Sequence, residues 1–331
     1  MINLCLFGAG RIGSIHASNV ARHSEVSIRY IVDAYEPAAQ KLAAIYNAKV
    51  VSVEEALADP ELHGVIIASS TNTHANLMED SARAGKAIFC EKPVDLSVER
   101  VRACLEVVAA TNVVCSIGFN RRYDPQFNTL KQAIDDGKVG NLEMLTITSR
   151  DPSPPPVEYI EVSGGLFRDM MIHDFDMARW LLAEEPIEVF ATASCQVDPA
   201  IGEAGDVDTA LVTLKTASGK LCQISNSRRA VYGYDQRIEA FGSGGMAQVG
   251  NQLESQLTLT GGEGSTSAKP QFFFLERYEA AYRLELDNFV ECIRDGKQPV
   301  ASGIDGLQSL LLAEAALESS RTGKAVAVSL S

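Results

Sequence analysis

What this chain lacks narrows its function before any motif is read. Histidine is scarce: there are five in 331 residues, and only one, His173, lies beyond residue 74. No apolar run approaches the roughly 18 residues needed to cross a bilayer, so no membrane role is expected. Basic residues are outnumbered, 29 Lys and Arg against 43 Asp and Glu, and they form no patch. The net charge of −14 argues against a nucleic-acid partner. The seven cysteines are an odd number, scattered, with no C-x-x-C pair. Cys5, Cys90, Cys104 and Cys115 fall in apolar segments and read as reduced, buried thiols of a cytoplasmic protein. No His/Cys cluster has ligand spacing, so no metal is expected. The opening MINLCLFGAG has no basic region, long apolar core or cleavage site, so it is not expected to be a signal peptide.

What is present describes an ordinary folded protein. Hydrophobic residues make up 46% and charged residues 22%, and the length suggests two domains. Residues 1–120 alternate strand and helix patterns. Strands are expected at Asn3–Phe7, Val26–Val32, Val65–Ala68, Ala87–Cys90 and Val113–Phe119, with helices between them. Near-continuous apolar strands of this kind build a parallel sheet covered on both faces. Residues 121–331 read differently. Longer strands follow one another at Leu142–Thr148, Glu188–Val197, Thr209–Thr216, Lys220–Ser227, Gln236–Phe241 and Gln256–Thr260. Asp151–Pro156 is a proline-rich loop, Gly261–Lys269 a Gly/Ser/Thr loop, and helices close the chain at Glu276–Asp295 and Asp305–Thr322. The expected fold class is α/β: a dinucleotide-binding domain over 1–120, then an α+β substrate and oligomerisation domain over 121–331, built on a large, mostly antiparallel sheet. The weak alternation of Ala210–Lys215 predicts that this sheet's second face is partly covered, as by another subunit.

Gly8-Ala9-Gly10-Arg11-Ile12-Gly13 is a G-x-G-x-x-G placed after a strand, Phe7 being its last residue, and before a helix. Gly8 permits a tight turn, Gly10 lets backbone approach a pyrophosphate, and Gly13 allows close helix–strand packing. Asp33 ends the second strand, where an acid accepts hydrogen bonds from ribose hydroxyls and repels a 2′-phosphate; this favours NAD over NADP. Ser69, Ser70 and Thr71 leave the third strand and are expected to line the nicotinamide side, with His74 nearby on the following helix. Glu91-Lys92-Pro93 leaves the fourth strand. A lysine held there can stabilise a developing alkoxide, although such a triplet is also common as a surface turn. Asn120 and Arg121 leave the fifth strand and would touch cofactor or substrate, or else join an interdomain salt bridge; spacing does not separate the two.

Asp169 and His173 stand four apart in GGLFRDMMIHDFDMARW, so on a helix they share a face. A carboxylate beside an imidazole fixes its tautomer and raises its basicity, as a general base requires. The same spacing also occurs as a helical acid next to a surface histidine.

Taken together, Gly8–Gly13, Glu91-Lys92-Pro93, Gly118–Tyr123 and the Asp169/His173 segment resemble the glucose–fructose oxidoreductase/inositol dehydrogenase/MocA family, in order along the whole chain. The segments are most similar to its inositol-oxidising members. The resemblance implies NAD-dependent oxidation of a ring hydroxyl of myo-inositol to the ketone, with Lys92, Asp169 and His173 as the catalytic trio. It also implies a homotetramer, and a polyol substrate touched by Lys92, Arg121, Asp169 and His173, with Asp151 and Tyr234 as looser matches. Met171 departs from the pattern: many inositol-oxidising relatives carry threonine in this turn, and a thioether cannot donate a hydrogen bond. The alternatives are a dehydrogenase for another polyol or sugar on the same scaffold, and an NAD-binding regulator without catalysis.

Overall fold

Leu286, Phe289 and Val290 share one core with Ala17, Val20, Ile31 and Phe89, so a late helix belongs with the beginning of the chain. A computed structural model describes residues 1–329. The described chain forms two compact units, Met1–Tyr123 with Ala281–Gln308, and Asp124–Ala280 with the chain from Ser309 onward. A division at 120/121 follows chain order alone; in space the first unit also takes the apolar face of that late helix.

The first unit runs β1 (Ile2–Phe7), α1 (Arg11–Arg22), β2 (Val26–Val32), α2 (Glu36–Tyr46), β3 (Lys49–Val50), α3 (Val53–Ala58), β4 (Gly64–Ile67), α4 (Thr71–Arg83), β5 (Ala87–Cys90), α5 (Val98–Thr111) and β6 (Cys115–Ile117). Its strands form one parallel sheet in the order β3-β2-β1-β4-β5-β6. Every residue of β4 and β5 is buried, as their unbroken apolar sequences require. The order reverses between β1 and β4, and the loops after β1, β4 and β5 emerge at the strand carboxyl ends, where open α/β sheets bind ligands. β3 was not expected; two exposed residues carry no periodicity to read. α3 was also missed, although Ser52 and Glu55 form a reciprocal capping box at its start.

The second unit begins with α6 (Pro125–Asp135), β7 (Leu142–Arg150), α7 (Val157–Ser163), a π-helical turn (Leu166–Met170) and α8 (Ile172–Leu182). Then come β8 (Pro186–Ser194), α9 (Pro199–Glu203), β9 (Thr209–Thr216), β10 (Leu221–Ser227), β11 (Asp235–Gly242), β12 (Gly245–Val249), β13 (Thr258–Gly261), β14 (Gly264–Ser267) and α10 (Phe274–Arg277). α11 (Glu279–Asp295), α12 (Gly303–Thr322) and β15 (Val326–Ala327) complete the chain. A sheet in the order β12-β11-β7-β10-β9-β8-β15 dominates the unit; its β7–β10 pair is parallel and the others antiparallel. Leu145, Ile147, Val212, Leu214, Ile224 and Ile238 bury its inner face. The expected Gly261–Lys269 loop is instead half of the β13–β14 hairpin. Both strands are wholly exposed, so neither shows the apolar alternation that marks a half-buried strand. No helix among the described residues is long and apolar enough to cross a membrane.

Candidate active site

In the first unit the glycine loop behaves as its sequence requires. Gly8 has φ +102°, and a Cβ there would meet the Ala68 carbonyl oxygen at 2.5 Å. A Cβ on Gly13 would lie 2.0 Å from the Gly8 carbonyl oxygen. A Cβ on Gly10 would meet nothing within 4 Å, so the loop presents bare backbone to open space. α1 starts there with no side-chain cap and no acid in its first turn. Its N–H groups and positive dipole end are thus left for an anion, the electrostatic condition for a pyrophosphate. Arg11 is exposed at this end, Ile12 half-buried, and Phe7 buried, so Phe7 has only backbone to offer a ligand.

Asp33 does more than await a ribose. It accepts hydrogen bonds from the Ala9 N–H at 2.6 Å and the Tyr35 N–H at 2.7 Å, tying the glycine loop to the turn after β2. A carboxylate has acceptor capacity beyond these two. Ser69 and Ser70 form the loop after β4 and Thr71 opens α4, where Thr73 Oγ1 lies 2.7 Å from Ser69 Oγ. His74 is buried, its Nδ1 2.8 Å from the Pro93 carbonyl oxygen and its Nε2 3.0 Å from that of Ser69. Its ring therefore bridges two loops, and any cofactor it serves is served through them.

Lys92 precedes Pro93 across a cis peptide bond and is half-buried. Glu91 turns inward: its Oε1 is 2.7 Å from His16 Nε2, and a Cβ on Gly118 would strike its Oε2 at 2.8 Å. The Glu91 side chain is committed to the interior, which leaves its backbone for a cofactor. Asn120 and Arg121 are buried in the 3₁₀ turn Asn120–Tyr123. Arg122, in the same turn, donates to Asp305 at 2.8 Å and to the Val300 carbonyl oxygen at 2.7 Å, and both partners lie in its own unit.

In the second unit the Asp169/His173 segment is not one continuous α-helix. Gly164 and Gly165 have φ +89° and +79°, and α7 ends there. A Cβ on Gly165 would lie 2.5 Å from Asp206 Oδ1, whose carboxylate accepts the Leu166 N–H at 3.0–3.1 Å. The chain then makes a π turn, closed by the Met171 N–H to the Leu166 carbonyl oxygen at 2.9 Å, before α8 begins. Asp169 lies in the π turn and His173 in the first turn of α8. Such turns occur frequently at functional sites.

Two residues that sequence reasoning missed, Tyr159 and Arg228, reach Asp169. The Tyr159 hydroxyl donates to its Oδ1 at 3.0 Å, and Arg228 Nη2 lies 3.9 Å from Oδ2 and 3.7 Å from Asp206. Arg228 is only 1% exposed, so its charge acts with little screening by water. Their signal was tertiary: Arg228 follows a strand 59 positions after Asp169 and would pass for a loop cation. Met171 is completely buried in the core of this unit. Tyr234 is also buried, its ring edge-on to Tyr278 at 5.9 Å, while Asp151 is half-buried and its N–H donates to the Ser227 carbonyl oxygen.

Residues 2–119 match the NAD-binding Rossmann fold of an oxidoreductase family, and residues 131–328 match the same family's C-terminal alpha/beta domain. The chain belongs to the glucose–fructose oxidoreductase/inositol dehydrogenase/MocA family. An inositol 2-dehydrogenase of Rhizobium meliloti (strain 1021) is 52% identical over 95% of each chain. A crystal structure of a myo-inositol dehydrogenase from Corynebacterium glutamicum superposes with TM-score 0.94 at 43% identity, covering 99% of each chain. The scyllo-inositol dehydrogenase of Lactobacillus casei, solved with NAD(H) and scyllo-inositol bound, gives TM-score 0.91 at 26% identity, again over 99% of each. As a family member this chain is an oxidoreductase with NAD as its cofactor, and the uncapped start of α1, the bare Gly10 backbone and Asp33 fit that group.

Proposed function

We propose that the protein oxidises a ring hydroxyl of myo-inositol to the ketone at the expense of NAD⁺. The observation that carries this reading is the Asp169/His173 segment, in which a carboxylate held in the π turn by Tyr159 and the buried Arg228 stands four residues ahead of the last histidine of the chain. The names of relatives at 52% and 45% identity, an inositol 2-dehydrogenase and a myo-inositol 2-dehydrogenase, favour inositol as substrate.

In the proposed reaction His173 accepts the hydroxyl proton. Asp169 orients the imidazole and stabilises it once charged. Lys92 stabilises the alkoxide as the carbon–hydrogen bond breaks. Bound NAD⁺ supplies the hydride acceptor. The reaction balances as alcohol and NAD⁺ giving ketone, NADH and one proton, which leaves through His173. Arg121, Asp151 and Tyr234 are assigned to substrate contact in this reading.

We also propose a homotetramer assembled through the outer face of the large sheet. Met246, Phe241, Met144 and Leu221 are cross-strand neighbours in one row on β12, β11, β7 and β10, and are 54%, 44%, 39% and 41% exposed. An exposed apolar row of this kind suits docking, and a second copy would cover it with the same row. Reduced thiols are consistent with a cytoplasmic location; burial pushes those of Cys104 and Cys115 up to about 12.

The test is NADH absorbance after mixing the protein and NAD⁺ separately with myo-inositol, scyllo-inositol, D-chiro-inositol and glucose. Reduction with myo-inositol is expected. Reduction with only another polyol would move the substrate and keep the chemistry. Silence with all four, alongside NAD binding, would sink the reading.

A further inference from the structure

Glu285 has no place in the chemistry above, yet it is among the most deeply buried ionisable groups of the first unit. It lies on α11, is 1% exposed, and neither carboxyl oxygen has a hydrogen-bond partner among the described residues. One of its oxygens, a ring nitrogen of His16 and a Glu91 oxygen all lie within 4.8 Å of one another. The walls around them are aromatic: His16 packs edge-on against Phe89 at 5.1 Å and Tyr282 at 6.0 Å.

Three such groups suggest a metal at first sight, but one distance argues against it. His16 Nε2 and Glu91 Oε1 are 2.7 Å apart. Two ligands of a tetrahedral zinc ion, each about 2.1 Å from it, stand roughly 3.4 Å apart. The contact has hydrogen-bond length, so a proton rather than a metal joins the pair.

We propose that Glu285 is a neutral carboxylic acid which, with His16, positions Glu91 and thereby Lys92. Two carboxylates in one buried site cannot both ionise. Burial, and then the Glu91 charge, pushes the Glu285 carboxyl well above the usual carboxylate range. As a neutral acid it is a donor, and Glu91 is the acceptor beside it. Other titratable groups near the cluster are Tyr282, whose ring packs on His16, the Tyr123 hydroxyl, which senses Glu285 and Arg122, and the Cys90 thiol, which senses Glu91. Glu91 directly follows β5, and the chain bends at its neighbour Lys92. Anchoring Glu91 inward, from α1 through His16 and from α11 through Glu285, therefore fixes the backbone from which the Lys92 side chain departs. Gly118 completes the arrangement by leaving room for the Glu91 carboxylate.

The inference rests on the proposed role of Lys92, so its test has one arm with turnover and one without. In steady-state assays Glu285→Leu, which keeps bulk and removes the donor, should lower kcat about 30-fold while changing KM for NAD⁺ less than about 3-fold. Glu285→Gln, a neutral donor of the same shape, should restore kcat to within about 3-fold of the parent. Equal loss in both variants, or none in the Leu variant, would overturn the proposal. The second arm follows the ¹³C resonance of reductively methylated Lys92, assigned with Lys92→Arg. That resonance should move or broaden in the Leu variant and stay in place in the Gln variant. If the parent oxidises no polyol, the proposed reaction fails, and the resonance still decides whether Glu285 positions Lys92. An unmoved resonance in the Leu variant would overturn it.

Discussion

His173 and Glu285 are asked for opposite things, one to exchange a proton with substrate and the other to keep its proton. Replacing His173 with Ala should cut kcat about 10²–10⁴-fold while leaving NAD binding intact, read by NADH formation and by cofactor titration. For Glu285 the consequence is a pH-dependent stability. Unfolded, it titrates at about 4.3. Folded, burial and the Glu91 charge raise its pKa. A raised folded pKa means its contribution is fully present below about pH 4.3 and is lost as pH rises through the folded value. Glu285→Gln has no such proton to lose. Its Tm should gain on the parent's progressively from pH 4 to pH 8, and a constant difference across that range would show that Glu285 is ionised in the native state.

The element that matters most is the junction from α7 through the π turn into α8. Two glycines with positive φ, the Asp206 carboxylate on the Leu166 N–H and the buried Arg228 together place Asp169. Gly165→Ala combines a disfavoured backbone with a Cβ 2.5 Å from Asp206, so it should cost roughly 2 kcal/mol in urea unfolding. Gly10→Ala is the contrast, because its Cβ meets nothing within 4 Å. It should leave the urea midpoint nearly unchanged and weaken NAD binding, since the new methyl group occupies the space a pyrophosphate approaches. The four-residue spacing of Asp169 and His173 was legible in the sequence, but the π turn was not. It depends on Asp206 and Arg228, which arrive from loops distant in the sequence.

At the scale of the whole molecule, the large sheet of the second unit leaves an apolar row uncovered. Charging it with Phe241→Glu and Leu221→Glu, whose side chains are 44% and 41% exposed, should convert the proposed tetramer to smaller species on size-exclusion chromatography with light scattering. NAD binding should persist, because the glycine loop and Asp33 lie in the other compact unit. A chain that is monomeric before any substitution would remove the proposed assembly.

The sequence by itself determined the parallel sheet of the first unit, the glycine loop and its cofactor, and the mostly antiparallel sheet of the second. These follow from local periodicity and from a glycine, Gly8, whose positive φ other residues rarely adopt, and such information lies within a few neighbouring residues. Only the tertiary structure decided that Ala281–Gln308 joins the first unit, that Glu91 turns away from solvent toward His16 and Glu285, and that Arg228 and Tyr159 hold Asp169. His16 and Glu285 are 269 positions apart. Burial of a charge, and the partner that makes burial tolerable, are properties of a packed environment, and no spacing along the chain encodes them.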